Sequence, residues 1–269
     1  MSRTWIERRM HHLAAVAAYA LLSWHPMSQA RPLTLCVEDV PQQPWTTPNQ
    51  GGLNFILLAR VESIAGVQFK VEPKPWRRCL NDLEFGRVDG LIGAAFSTER
   101  LTFARFPMLK NGQPDGDSAL FIGKTYIFMR ANGQASWDGK SLINPRRIVI
   151  AQRSYMATER LKALGFMVLD DAKTPEDGLR ALVANRADVA VLHSEFAHFL
   201  VGTDARFKGR ITETQQPFDV SPHYLAFGWR TYQEDPERIE RIWKAIATVR
   251  RSADYRNIES SAIADLGSR

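Results

Sequence analysis

The chain of 269 residues has only two cysteines, Cys36 and Cys79. It has no C-x-x-C pair, and His193, His198 and His223 have no partners at ligand spacing. No metal and no cofactor are therefore expected. There is no G-x-S-x-G, no H-E-x-x-H and no Gly-rich dinucleotide fingerprint. Gly139-Lys140-Ser141 has the form of a phosphate-loop ending, but Gln134 stands where the first glycine should be. Long basic blocks are missing too. Arg77-Arg78, Arg146-Arg147 and Arg250-Arg251 are short runs that suit solvated helix ends, so nucleic acid is not an expected partner. After the first turns of chain, no apolar stretch approaches the roughly 20 residues that a membrane span requires.

What is present begins with a leader-like segment. Arg3, Arg8 and Arg9 precede an uncharged apolar run from Leu13 to Trp24, which Pro26 breaks. Ser28-Gln29-Ala30 then offers small residues at the first and third positions before a cut. This is the order of a secretory signal peptide over residues 1–30, with the mature chain starting near Arg31 in the periplasm. A retained membrane anchor is the alternative. The net charge of +6 falls to +4 without the leader's three Arg and one Glu. Hydrophobic residues make up 45% of the chain, enough for one large core or two small ones. Export to an oxidising compartment, with an even cysteine count, favours a Cys36–Cys79 disulfide over a catalytic thiol.

Strands and helices alternate along the chain. Leu33-Thr34-Leu35-Cys36-Val37 reads as a buried strand ending at Glu38-Asp39. The loop PQQPWTTPNQGG follows, then an apolar helix from about Leu53 to Ile64. Val67 to Val71 alternates as a strand, and Pro75-Trp76 opens a helix that Gly86 stops. Such alternation predicts an α/β fold of parallel strands with crossover helices, with ligands beyond the carboxyl ends of the strands. Glu38, Asp39 and Trp45 fall at such a place. An internal echo points to two similar lobes. Leu83-Glu84-Phe85-Gly86-Arg87-Val88-Asp89 leads into an apolar run, and so does Leu182-Val183-Ala184-Asn185-Arg186-Ala187-Asp188. Each copy reads as a helix end, a left-handed Gly or Asn cap, a basic residue, and Asp at the mouth of a strand. Thr174, Pro175, Glu176 and Asp177 give the second helix a clear start. The polar segment KNGQPDGDS and the extended run Ala119 to Met129 mark a crossing between lobes.

A set of ordered motifs carries a resemblance. Trp76-Arg77-Arg78-Cys79-Leu80, Gly86-Arg87-Val88-Asp89-Gly90, Ser97-Thr98-Glu99-Arg100 and Arg105-Phe106-Pro107 come first. Trp137-Asp138-Gly139-Lys140, Ile148-Val149-Ile150-Ala151-Gln152 and Asp235-Pro236-Glu237, with a helix to Ile258, follow downstream. Together they resemble family 3 of the periplasmic solute-binding proteins, the polar-amino-acid type, over essentially the whole mature chain. The resemblance implies a type II periplasmic-binding-protein fold with a cleft between two mixed-sheet α/β lobes. The first lobe would be 31–123 plus 224–269, and the second 124–223. It implies Arg100 as a carboxylate clamp, and guanidinium geometry suits that task. Trp76 corresponds to an aromatic wall, Trp45 follows the proline of the first loop, and Asp39 lies near a polar contact. Ser97 belongs to the Arg100 motif, while Ser154 and Tyr155 fall where hydroxyls and backbone N–H groups meet an anion at a helix start.

Departures from that pattern matter as well. Ala95 replaces the usual Ser or Thr, and Arg153-Ser154-Tyr155 lacks the usual glycine. His193 stands where amino-acid binders carry an acid for the ligand's ammonium, and neutral imidazole cannot replace that charge. The resemblance implies hinge closure on a small carboxylate-bearing ligand, amino-acid-like or an organic acid, by a monomer that delivers it to an ABC-transporter permease. Two alternatives stay open. One is a dehydratase-like enzyme, as cyclohexadienyl dehydratases resemble this fold, using Glu38, Asp39 or Glu195 beside His193. The other is a ligand-sensing module for a membrane receptor.

Overall fold

The computed structural model describes residues 31–152, 156–193 and 195–268. Residues 1–30, expected above to be a leader, lie outside them, as do Arg153, Ser154 and Tyr155; the Glu195 side chain is likewise not described. The first half opens with strand β1 (Leu33–Glu38), whose apolar run is buried on both faces, as a central strand requires. Helix α1 (Leu53–Ala65) and helix α2 (Trp76–Glu84) cross over to β2 (Phe69–Lys74) and β3 (Gly90–Ala95), both parallel to β1. The first of these strands starts two residues later than the alternation predicts and runs on to Lys74.

Two ten-residue strands then join this half to the next. They are β5 (Phe121–Arg130) and β12 (Asp219–Gly228), paired antiparallel from Phe121–His223 to Thr125–Asp219. The upper part of β12 pairs with β3, and the far part of β5 pairs with β10 (Val189–His193). Beyond β10 lie β8 (Ile148–Gln152) and β9 (Met167–Ala172), parallel to one another. The resulting order is β2-β1-β3-β12-β5-β10-β8-β9, one mixed sheet with a parallel half on either side of the crossing pair. The short β4 (Ala104–Arg105) adds to β12 and β11 (Ile211–Glu213) to β5, while β6 (Ser136–Trp137) and β7 (Leu142–Ile143) pair separately. Four apolar clusters, two in each half, cover its faces.

The internal echo has a structural counterpart. Helix α2 and helix α4 (Pro175–Val183) both end before a left-handed residue, Gly86 at φ 66° and Asn185 at φ 59°. Glycine and asparagine are the residues that tolerate this conformation at least cost. The Asp at each strand mouth is used differently. Asp89 accepts the Thr34 N–H at 2.7 Å and the Thr231 hydroxyl at 3.1 Å, whereas Asp188 pairs with Arg130 and Arg146. The Thr174 cap and Asp177 form a reciprocal capping box. At the carboxyl end, the expected single helix to Ile258 is two, α7 (Pro236–Arg251) and α8 (Ala253–Ser268). Ser252 separates them: its backbone is extended, and its hydroxyl accepts the N–H of Tyr255, starting the next helix.

Cys36 in β1 and Cys79 in α2 are bridged and fully buried. Glu38 lies two residues after Cys36, and Trp76 lies three before Cys79. Strand and helix periodicity therefore put both on the bridged faces. The bridge closes a 43-residue separation, which limits the freedom of the unfolded chain by about 2–4 kcal/mol. Reduction should lower unfolding free energy by about that amount in urea titrations. Thiol titration of denatured, unreduced protein should find no free thiol; finding two would reject the bridge.

Candidate ligand-binding site

A cavity of about 70 Å³ lies where the crossing pair meets the first half. Glu38, from the end of β1, lines it beside Trp76, the first residue of α2. The Trp76 N–H donates to Glu38 Oε1 at 3.1 Å. Arg100 enters from a short 3-10 turn (Arg100–Thr102) and is nearly buried. Its Nη1 donates to the Ala95 carbonyl at 2.7 Å, and its guanidinium lies 5.8 Å from the Trp76 ring centroid. That contact combines packing with cation–π attraction. Thr125, Asp219, Ser221 and His223 line the other side from the crossing strands. A second cavity, of about 200 Å³, adjoins it through Glu38 and Trp76 and reaches Asp39, Gln152 and Asp170.

The charged groups are unequal. Burial pushes the Glu38 carboxyl up to about 7, and the neighbouring Asp39 charge adds to the shift against the Trp76 hydrogen bond. Asp219 is more exposed and sits 3.6 Å from Arg160. His193 is pushed down to about 4 by burial, and His223 is pushed well below its ordinary value by burial, by His193 and by Arg100. Both rings are therefore neutral at pH 7. They stand 4.8 Å apart, with Phe121 stacked on His223 at 4.7 Å and Trp45 stacked on Phe121 at 4.4 Å. Gly123 in β5 makes room for them. A Cβ there would fall 2.4 Å from His193 Cε1 and 2.5 Å from His223 Cε1.

Arg100 and Trp76 thus meet in the inner cavity, and Trp76 and Asp39 in the outer one. Ser97 stands behind the clamp position, its hydroxyl accepting the Arg100 N–H at 3.2 Å. Trp45 is buried behind Phe121. His193 is buried behind His223, its N–H donating to Gln152 Oε1 at 3.0 Å. Ser154 and Tyr155 fall outside the described residues. Sequence reasoning missed Gln42, Asn54, Thr125, Gln152 and His223. Asn54 carried one usable signal: it is a polar residue within the apolar start of α1, and it is completely buried. Both polar atoms of the Asn54 and Gln42 side chains are buried without a hydrogen-bond partner, and both residues line the inner cavity.

Between about pH 4.5 and 7 the unfolded Glu38 carboxyl ionises while the folded one keeps its proton. The unfolded state then binds fewer protons, so Glu38 lowers stability as pH rises through this window. Glu38→Gln retains an acceptor for Trp76 but cannot ionise. Relative to the parent, it should gain up to about 3 kcal/mol on going from pH 5 to pH 8 in urea unfolding. An equal difference at both pH values would remove the buried-carboxyl assignment.

Structural comparison gives the fold a context. No protein-family model matches the sequence, and none of the curated proteins compared is significantly similar to it. Solved structures are similar over nearly the whole chain. A histidine kinase sensor domain with similarity to periplasmic binding proteins has 19% identity and a TM-score of 0.69, covering 87% of this chain and 96% of its own. An ancestral amino acid-binding protein, a precursor of cyclohexadienyl dehydratase, has 15% identity and a TM-score of 0.66, covering 86% and 95%. The GluR0 ligand-binding core from Nostoc punctiforme, in complex with L-glutamate, has 17% identity and a TM-score of 0.64, covering 87% and 97%. The chain has the two-lobed α/β fold of the periplasmic-binding-protein-like structures.

Proposed function

We propose that this chain is an exported solute-binding protein that captures a small carboxylate-bearing ligand between its lobes. The buried Arg100 guanidinium, at the inner cavity and against the Trp76 ring, carries this reading. A guanidinium offers paired donors in one plane, which fits a carboxylate at two points. The similar structures include binding proteins for amino acids and sensor domains. The Cys36–Cys79 bridge fits the oxidising compartment that the leader implies, and no described helix is long and apolar enough to cross a membrane. With lobe boundaries at 31–123 plus 224–269 and 124–223, β5 and β12 are the hinge segments. We propose that the protein acts as a monomer and hands its ligand to an ABC-transporter permease.

A sensor role is the second reading, favoured by the similarity to a histidine kinase sensor domain. Loss of the gene should abolish uptake of labelled ligand in the first case, and a ligand-dependent transcriptional response in the second. Glu38, near 7, also has the acid–base range that a dehydratase needs. Product formation from a bound ligand would identify that activity.

A thermal-shift screen of amino acids and organic acids identifies the ligand, since one at 100 times its Kd adds about 2.7 kcal/mol. Arg100→Ala should then cost about 2–5 kcal/mol of binding in calorimetric titration. Arg100→Lys should also weaken it, because a point charge lacks the flat two-pronged geometry. Unchanged affinity in Arg100→Ala would remove the clamp. Closure by rigid rotation about β5 and β12 should shrink the radius of gyration on saturation. An unchanged radius in small-angle scattering, with saturation shown independently, would exclude hinge closure.

A further inference from the structure

The inner cavity contains more unsatisfied hydrogen-bonding capacity than a carboxylate clamp needs. Asn54 is fully buried, and both its Nδ2 and its Oδ1 are without partners. Gln42 presents the same pair of orphaned atoms, Nε2 and Oε1. Both side chains line the cavity that Arg100 enters. Burying such groups unpaired is costly, so their hydrogen-bonding capacity falls to whatever fills the cavity. A carboxamide side chain offers donors and an acceptor together. Its complement must therefore accept as well as donate, which a hydroxyl does. An ammonium only donates: it would meet the two carbonyl oxygens and leave both amide NH₂ groups facing further N–H.

Charge and size narrow the occupant further. Among the described residues lining the cavity, Arg100 is the one side chain with a fixed positive charge. Asp219, at its edge, is partly exposed and stands 3.6 Å from Arg160. The remaining carboxyl is Glu38, which burial pushes up to about 7, so a large share of it keeps its proton at neutral pH. Within the buried part of the lining Arg100 is matched by a monoanion, whereas a zwitterion's ammonium would meet a carboxylate only at the partly exposed edge, at Asp219. The volume of about 70 Å³ admits roughly five to seven water-sized atoms at about 10–15 Å³ each.

We infer that the inner cavity is a site for a short hydroxycarboxylate, its carboxylate held by Arg100 and its hydroxyl groups by the Asn54 and Gln42 amides. This rests on the solute-binding reading above and narrows it to a ligand class without an α-ammonium. Asn54 is then the residue that selects hydroxyl over ammonium.

Glycerate and serine differ only in having a hydroxyl or an ammonium on the carbon beside the carboxylate, and propionate lacks both groups. Calorimetric titration of the protein produced from the full chain, at pH 7 with both enantiomers of glycerate and serine, compares them directly. Glycerate should bind at least about tenfold more tightly than serine and than propionate, a difference of about 1.4 kcal/mol or more. Asn54→Leu, close in size but without polar atoms, should weaken glycerate about tenfold and leave propionate within about threefold. Serine binding as tightly as glycerate, or no binding of either, overturns the hydroxycarboxylate assignment. Should Asn54→Leu not fold, the parent protein's glycerate-to-serine ratio decides by itself. A thermal-shift panel of other carboxylates separates the two levels of failure. Stabilisation by one of them, lost in Arg100→Ala, preserves solute binding and removes only the ligand class; stabilisation by none removes both.

Discussion

The pairing of Phe121–Arg130 with Asp219–Gly228 is the constraint from which the rest of the structure follows. Both strands belong to both halves of the sheet, so neither half can shift without bending the backbone where they cross. Their register places Gly123 opposite Ser221 and Thr125 opposite Asp219. The inner cavity takes part of its wall from Thr125, Asp219 and Ser221 of these pairs. The segments joining the lobes are thus also segments of the site. A ligand touching Thr125, Ser221 or His223 acts on the crossing directly, and no relay through distant side chains is required.

The crossing is packed with rings in place of aliphatic side chains. Trp45, Phe121, His223 and His193 form a continuous series from the first half to the end of β10. Only a glycine at position 123 lets the two imidazoles approach the strand this closely. Burial keeps them neutral, and the Arg100 charge reinforces this at His223. A neutral imidazole pair offers polarity without the repulsion that two protonated rings beside a guanidinium would bring. His193 therefore has a packing role: the position contributes to the series of rings and not to the cavity lining.

Much of the fold was legible because it rests on local rules. The apolar run of β1, the Gly86 and Asn185 caps and the Thr174 start each reflect backbone chemistry within a few residues. The Cys36–Cys79 pair followed from compartment and count. The break at Ser252 was not legible, since serine within a helical pattern is common and its capping role depends on Tyr255 one turn later. The site was less legible than the fold. Arg100, Trp76 and Glu38 stand beside strand ends or helix starts, where topology directs attention. Trp45 illustrates the limit: a tryptophan after a loop proline suits a wall or a core, and tertiary packing on Phe121 buries it here. Gln42 gave no signal, and Asn54 only that of a polar residue in the apolar start of α1, because their meaning lies in the hydrogen bonds they lack.

Those missing bonds connect stability with function. A folded chain that buries four amide atoms without partners is less stable than one with leucine in the same places, other contacts being equal. The Cys36–Cys79 bridge lies one step behind Glu38 and Trp76, where it can offset such local cost without occupying the cavity. Raising the Glu38 carboxyl to about 7 is a cost of the same kind. In each case a group is held out of water in an arrangement that costs stability and that the polar anion proposed above would relieve. Because the groups are already desolvated and positioned, little of the ligand's binding energy is consumed in ordering them. Under the hinge closure proposed above, that energy remains for any difference between open and closed lobes, which a ligand can bias only through its differential affinity for the two.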